Sequence, residues 1–173
     1  RVAESGCDVF LVHARKAWLK GLSPKQNREI PELNYDRVYQ LKKDFPHLEI
    51  IINGGVTTLE QSQEHLQHLD GVMVGREAYT NPYLLASVDQ DIYGATHAIK
   101  TRRQIAEEFL QYADNELSKG TKLNAMTRHI LGLFHGMPGA RQYRRHISEN
   151  AHKPSATIEV LTTALQKTSG AQD

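Results

Sequence analysis

Three short runs of apolar, mostly β-branched residues stand out along the chain, and each predicts a β-strand. The runs cover Val9–His13, Glu49–Asn53 and Gly71–Gly75. Apolar residues are nearly continuous within each run, whereas a strand with one exposed face alternates apolar and polar positions. Continuous apolar strands are typical of parallel sheets covered on both faces, so we expect a sheet of that kind.

Helical periodicity separates the first strand from the second. The segment Tyr35–Phe45 places Val38, Leu41 and Phe45 on one stripe at three- and four-residue spacing. Pro46 then ends this predicted helix, because proline lacks the backbone N–H that a helix interior uses.

A second helix is predicted between the second and third strands. It begins with Thr57 as N-cap and Glu60 three residues later, which is a capping-box pattern. Its apolar face is supplied by Leu59, Leu66 and Leu69. The resulting order of strand, helix, strand, helix and strand is a βαβαβ unit, which implies a parallel sheet with right-handed crossovers.

After about residue 93 the pattern is helical throughout. Helices are predicted over His97–Ser118, Leu123–Phe134 and Thr157–Gln166. Residues 167–173 are expected to form a frayed tail. We therefore expect an α/β part over residues 1–94, followed by an all-α part over residues 95–173.

The composition is that of an ordinary globular protein, with 39% hydrophobic and 24% charged residues among 173. The net charge of +1 gives no general argument for nucleic-acid binding, so any basic surface is local. Cys7 is the one cysteine, which excludes an internal disulfide framework and favours the reducing cytoplasm. No apolar run approaches the roughly 18 residues of a membrane helix. The chain opens on Arg1 without Met, and we interpret it as the C-terminal part of a longer protein.

Glycines follow two of the predicted strands. Asn53, Gly54 and Gly55 end the second strand, while Gly75 and Arg76 end the third. Glycine lets a backbone approach a ligand, amides at a helix start attract anions, and arginine suits phosphate. Because no GxGxxG motif is present, two successive strand-end sites predict a barrel phosphate site, for which the glycines make room. Taken alone, the pair Gly54 and Gly55 could be only a tight turn, and Arg76 could be only a surface charge.

A long loop follows the first strand, which ends at His13. The loop carries basic residues around Trp18, namely Lys16, Lys20, Lys25 and Arg28. Long loops at the carboxyl ends of strands are usually functional. A histidine at a strand end is often only packed, but His13 shares its edge with two phosphate-type sites, which favours a ligand.

A basic stripe is predicted near the end of the chain. Arg141, Arg144 and Arg145 have three- and four-residue spacing, so a helix would present them on one face. With Tyr143 nearby, this stripe is a candidate contact for an RNA backbone. A solvated helix face is the alternative.

The segments HARKAWLKGLSPKQNREIP, INGG, VGREAYTNPYLL and GLFHGMPGARQYRRHIS together resemble the tRNA-dihydrouridine synthases, in particular the A-type bacterial branch. The resemblance covers essentially the whole chain. It implies an FMN-binding (β/α)8 TIM barrel, of which residues 1–94 are the last three β/α units, followed by a helical tRNA-binding domain. In that family NADPH reduces the flavin, which then reduces the C5–C6 bond of a D-loop uridine in tRNA.

The resemblance also assigns roles to residues. It places His13, Asn53, Gly54, Gly55, Gly75 and Arg76 against FMN. It places Lys25, Arg28, Arg141 and Arg144 against tRNA. The family's catalytic cysteine lies before this segment, so we assign no catalytic residue and no metal ligand here. Cys7 precedes a strand at the wrong edge of the sheet, and we expect it to be a buried small hydrophobe.

Two other functions stay open from the residues alone. One is another phosphate-binding flavin barrel enzyme that acts on small metabolites, and the other is a non-catalytic RNA-binding module. For the isolated chain we expect weak or absent flavin, no turnover, and self-association through an exposed barrel edge.

Overall fold

The computed structural model describes residues 1–168, and the chain forms two compact units. The first unit is Arg1–Gly75, and the second begins at Arg76. The sequence pattern instead divided the chain after residue 94. That boundary stays a prediction, and the segment after Arg76 packs with the helices that follow it. Tyr83, for example, lies against the hydrophobic core of the second unit.

The first unit contains a parallel three-stranded sheet in the order β1, β2, β3. Strands β1 (Val9–His13) and β2 (Glu49–Asn53) have the predicted bounds, whereas β3 is Gly71–Met73 and ends two residues before the predicted limit. The register pairs His13 with Asn53, and Asn53 with Met73. The predicted parallel βαβαβ unit is therefore confirmed.

One face of this sheet is covered and the other is not. Ile50 and Ile52 are 1% and 0% exposed, whereas Val9, Leu11 and Met73 on the opposite face are 44%, 58% and 41% exposed. Right-handed crossovers between successive neighbouring strands place both connecting helices on one side of the sheet. The prediction that both faces are covered is therefore wrong for the described residues.

Helices α1 (Pro24–Asn27) and α2 (Tyr35–Asp44) connect β1 to β2. Asn34 caps α2 by accepting a hydrogen bond from the Arg37 N–H at 3.0 Å. Val38 on this helix is 2% exposed, but Phe45 lies beyond its end and is 43% exposed. Phe45 does not belong to the buried stripe, because the helix ends before it.

Helix α3 (Leu59–Leu66) connects β2 to β3 and starts one residue later than predicted. Its N-cap is Thr58, whose hydroxyl accepts from the Gln61 N–H at 3.2 Å. The Gln61 side chain in turn accepts from the Thr57 N–H at 2.9 Å. The predicted capping box of Thr57 and Glu60 is therefore wrong, because Thr58 is the N-cap and the Gln61 side chain binds the backbone of the residue before it.

The second unit is helical. Its elements are α4 (Arg76–Thr80), a 3-10 helix at Pro82–Ser87, α5 (Val88–Asp91), α6 (Arg102–Ser118), α7 (Leu123–Thr127), α8 (Ala140–Asn150) and α9 (Glu159–Gln166). Helix α6 starts later than predicted because Thr101 caps it, in a capping box with Gln104. Helix α7 is shorter than predicted, and turns occupy residues 128–134.

Helices α6, α7, α8 and α9 all contribute buried side chains to the core of the second unit. Tyr143, Ile147 and Leu161 are at most 1% exposed there. The predicted tail begins with a turn at residues 167–168 in which Thr168 is buried, and residues 169–173 lie outside the described part. Among the described residues, none of the helices has both the length and the apolar composition to cross a membrane.

Candidate functional site

The ends of the three strands lie at one edge of the sheet. Because His13, Asn53 and Met73 are paired across the parallel register, the residues that follow each of them leave the sheet side by side. Gly54 and Gly55 directly follow β2, and Gly75 lies two residues beyond β3. Five of the residues predicted from sequence are thus brought to one edge of the first unit.

Gly54 and Gly55 have backbone conformations that favour glycine, with φ of 129° and 77°. A Cβ on Gly55 would lie 2.5 Å from Leu33 Cδ1 and 2.9 Å from the Tyr35 hydroxyl. A Cβ on Gly54 would lie 3.3 Å from the His13 ring. Neighbouring side chains therefore fill the space that a side chain at either position would need.

Tyr35 fixes the direction of the peptide between these glycines. Its hydroxyl donates a hydrogen bond to the Gly54 carbonyl at 2.9 Å. A trans peptide has its N–H opposite its carbonyl, so the Gly55 N–H is directed away from the phenol. Burial raises the pKa of Tyr35, opposed by the charge of Arg15, and the phenol therefore remains a donor at neutral pH.

His13 presents a defined ring nitrogen at this edge. The Arg15 backbone N–H donates to His13 Nδ1 at 3.2 Å. In the neutral imidazole the proton is then on Nε2, which becomes the donor available to a ligand. His13 is exposed, and its ring lies beside Gly54. This arrangement suits hydrogen bonding to an acceptor atom of a bound molecule.

The site at Gly75 and Arg76 has more open space beside its glycine than the site at Gly54 and Gly55. A Cβ on Gly75 would meet no atom within 4 Å, so the space beside its backbone is open. Arg76 is exposed and is the first residue of α4 and of the second unit. An open glycine followed by a guanidinium is an arrangement that suits an anion.

The loop after β1 is held by backbone hydrogen bonds. Arg15 forms an isolated antiparallel bridge with Leu33, and the Lys16 N–H donates to the Glu32 carbonyl at 3.0 Å. The Arg15 guanidinium donates to the carbonyls of Glu29 and Pro31. The two ends of the loop are therefore tied together.

The two predicted tRNA contacts of this loop lie in and beside α1. Lys25 belongs to α1 and Arg28 is its C-cap, and both are exposed. Lys16 instead pairs with Glu32 at 2.8 Å, which lowers the pKa of that carboxyl. Lys25 and Arg28 are thus exposed residues of a loop whose two ends are tied together.

Sequence reasoning missed a cleft of about 420 Å³ beside the end of β1. Its polar lining is basic and consists of His13, Arg15, Lys16 and Arg37, together with Asn34. Its apolar lining comes from Val12, Ala14, Val38 and Leu41. Arg37 and Tyr35 carry no recognisable motif, since both lie on α2 and are brought to the strand ends only by the crossover.

The basic stripe of the second unit lies on α8. Arg141 and Arg145 are exposed and Arg144 is half-buried, while Arg145 pairs with Glu149 at 2.7 Å. Tyr143 is 0% exposed, so it does not accompany the stripe at the surface. The expected aromatic contact with RNA is therefore wrong. Two residues along a helix correspond to about 200° of rotation, which turns Tyr143 away from Arg141.

Cys7 lies at the amino end of β1, at the opposite edge of the sheet from His13. It is half-exposed, and its thiol lies 3.5 Å from the Val9 carbonyl. The expectation of a buried cysteine is wrong, because the turn before β1 leaves it partly open to water. Its position gives it no part in the strand-end site.

Comparison with known proteins connects this geometry to a family. The model of the dihydrouridine synthase (Dus) family matches residues 1–169. A tRNA-dihydrouridine(20/20a) synthase of Vibrio vulnificus is 66% identical over 164 residues, which are 95% of this chain and 50% of that protein. The proteins of the same name from Shewanella oneidensis and Escherichia coli K12 are 62% and 59% identical, over 95% and 92% of this chain and 49% and 46% of theirs. The chain thus spans about half the length of these curated relatives.

Proposed function

Since the chain belongs to the dihydrouridine synthase family, we propose that the whole protein is a tRNA-dihydrouridine(20/20a) synthase. It reduces the C5–C6 bond of D-loop uridines in tRNA, with FMN as cofactor and NADPH as electron donor. The observation that carries this proposal is the shared edge of His13, Asn53 and Met73, combined with the family match over residues 1–169. The proposed location is the cytoplasm, where tRNA is modified.

In this proposal the first unit contributes three β/α units to a (β/α)8 barrel. The uncovered sheet face supports it, because barrels bury an apolar inner face that a free sheet leaves open. Val9, Leu11 and Met73 would line that interior. The second unit would then be the helical tRNA-binding domain, beginning near residue 95 as the sequence pattern indicates or directly at Arg76.

The strand-end residues fit a flavin mononucleotide. FMN would supply hydride transfer when bound. His13 would hold it through Nε2–H, Asn53 through its amide, and the backbones at Gly54 and Gly55 through a peptide already fixed by Tyr35. Gly75, with no atom within 4 Å of its Cβ position, would admit the phosphate, and Arg76 would neutralise it.

The basic residues would hold the tRNA backbone. Lys25 and Arg28 project from the ordered loop of the first unit, and Arg141 and Arg144 lie on α8. Phosphate contacts of this kind determine register and affinity without reading sequence, and salt weakens them. The proton donor is not assigned to any residue of this chain.

Flavin content and tRNA affinity of the whole protein test the proposal. We expect His13→Ala and Arg76→Ala to lower FMN content, and Arg141→Ala to weaken binding of an unmodified tRNA transcript while FMN is retained. The salt dependence of binding should also lose about one unit of slope in Arg141→Ala.

The same measurements separate the alternatives. An RNA-binding module would bind tRNA and carry no FMN in any variant. A flavin enzyme of small metabolites would lose FMN in Arg76→Ala but show no effect of Arg141→Ala on RNA. Either pattern would contradict the proposal.

A further inference from the structure

Trp18 and Leu19 lie at the exposed part of the loop that follows β1. Trp18 is 52% exposed and Leu19 is 95% exposed. Trp18 is also the one tryptophan of the chain. An indole held half out of the protein leaves a large, rigid apolar surface in water, and surfaces of this kind commonly mark binding sites.

The backbone of Trp18 is held by a single side chain. The Trp18 N–H donates to Asn27 Oδ1 at 2.9 Å, and Asn27 Nδ2 donates to the Trp18 carbonyl at 2.9 Å. Asn27 is the last residue of α1, and Ser23 and Gln26 form the capping box that fixes the first turn of that helix. The backbone position of Trp18 is thus established within the loop itself, which lowers the entropic cost of binding through it.

The loop that carries Trp18 contains more basic than acidic residues, although one of its lysines, Lys16, pairs with Glu32 at 2.8 Å. Five basic residues and two acidic ones lie between residues 15 and 32: Arg15, Lys16, Lys20, Lys25, Arg28, Glu29 and Glu32. The cores of protein–protein interfaces are depleted of lysine, whereas polyanions are bound by such residues. The charge of the loop therefore favours a nucleic acid over a protein as the partner of Trp18.

We propose that Trp18 is a stacking platform for an unpaired nucleobase of the RNA substrate, and that Asn27 is a positioning residue for it. The proposal rests on the proposed function, which supplies RNA as the substrate. Every base has a face that stacks on an aromatic ring, so the contact orients the strand without reading its sequence. Lys20 and Lys25 of the same loop bind the phosphates that flank the stacked base.

Substitution of Trp18 in the whole protein tests the stacking contact. We expect Trp18→Ala to bind an unmodified tRNA transcript about 5- to 100-fold more weakly, and Trp18→Phe to recover most of the loss. Leu19→Ala is the matched control, since it removes an exposed apolar side chain from the same loop without removing an aromatic face. It should change the dissociation constant by less than about twofold.

The role of Asn27 is tested through its dependence on Trp18. We expect Asn27→Ala to raise KM for tRNA with little change in kcat. The double variant Trp18→Ala/Asn27→Ala should bind no more weakly than Trp18→Ala alone, because the two residues act as one unit. Additive losses would show that Asn27 does not act through Trp18.

Fluorescence of the isolated 173-residue chain reports the contact directly, because that chain contains one tryptophan. We expect the tRNA transcript to quench its emission and to protect it from acrylamide. Heparin, a polyanion without bases, should do neither.

The outcomes separate this inference from the proposed function. Unchanged tRNA affinity in Trp18→Ala, with weakened binding in Lys25→Ala, would overturn the inference and leave the function standing. A loss in Trp18→Phe equal to that in Trp18→Ala would also overturn it. Emission already protected from acrylamide in the RNA-free chain, at a concentration where the chain is monomeric, would show that the chain itself covers Trp18, which is equally incompatible with a stacking platform. Absence of any tRNA affinity in the unsubstituted protein would contradict both.

Discussion

Gly55 shows how closely a single position is determined by its neighbours. Its positive φ requires glycine, and Leu33 and Tyr35 occupy the space that a side chain would need. The sequence marked this glycine as room for a phosphate. The structure adds a reason within the chain, since Leu33 and Tyr35 pack against this glycine.

We expect Gly55→Ala to lower the free energy of unfolding by about 2–4 kcal/mol, because it adds steric overlap to backbone strain. Gly6→Ala is the matched control. Gly6 has φ of 86° but no atom within 4 Å of its Cβ position, so only about 1 kcal/mol of strain applies. Urea denaturation of both variants measures the difference. Equal losses would show that the contacts with Leu33 and Tyr35 relax without cost.

His65 is a buried titratable residue that the sequence did not single out. It is 5% exposed, and its Nδ1 lies 2.7 Å from the Tyr39 hydroxyl. The ring of Tyr35 packs edge-on against it at 4.5 Å. Burial lowers the pKa of His65, with Glu64 opposing this shift and His68 adding to it. The neutral ring is therefore the form that the fold accommodates.

This burial predicts an acid-sensitive contribution to stability. Because the pKa of His65 is lower in the folded state, the contribution is complete above about pH 6.5 and is lost as the pH falls toward the lowered value. We expect the unsubstituted chain to lose more stability than His65→Gln between about pH 7.5 and about pH 5.5, measured by urea denaturation. His47→Gln, at an exposed position of the same unit, should keep the original pH dependence. Parallel curves for all three proteins would contradict the prediction.

At the scale of elements, strands were predicted better than helix ends. The bounds of β1 and β2 follow from apolar runs alone, because burial of a strand requires an apolar side chain at each position facing the core. Helix starts depend instead on which of several adjacent polar residues turns its side chain toward the free N–H groups. Either Thr57 or Thr58 could serve as the N-cap of α3, and the sequence does not show which of them does.

The cap of α3 can be tested by comparing these two threonines. Thr58→Ala should lower the free energy of unfolding by about 1 kcal/mol, since it leaves the Gln61 N–H without its acceptor. Thr57→Ala should cost less, because the Thr57 backbone N–H keeps its bond to the Gln61 side chain. Thermal unfolding of both variants gives the order. A larger loss in Thr57→Ala would restore the cap predicted from sequence.

At the scale of the whole molecule, the three strands of the sheet were predicted correctly, but the prediction that both faces of the sheet are covered was wrong. Apolar runs indicate that a strand is suited to burial on two faces, but they do not show whether another layer is present. Leu11 and Ile52 are both aliphatic, yet one is 58% exposed and the other 0%. The predicted strand ends do share an edge. The roles of Tyr35, Arg37 and Asn27 could not be predicted, because only the folded crossover between β1 and β2 brings these residues to the sites.

We expect the uncovered face to make the isolated chain self-associate, as large exposed apolar surfaces do. Sedimentation velocity should show a mass that rises with concentration. Leu11→Lys should reduce this rise, whereas Val2→Lys, at a residue that is 62% exposed but outside the sheet, should not. A compact monomer at all concentrations would contradict the expectation.

The segment from Arg15 to Tyr35 touches both proposed ligand sites. Near its ends, Leu33 and Tyr35 contact the glycines after β2 and the Arg15 N–H orients His13, while its middle carries Trp18 and Lys25. In the proposed function this segment would connect the flavin site to the RNA site. Linkage is reciprocal, so any factor by which RNA improves retention of the flavin must equal the factor by which flavin improves capture of the RNA.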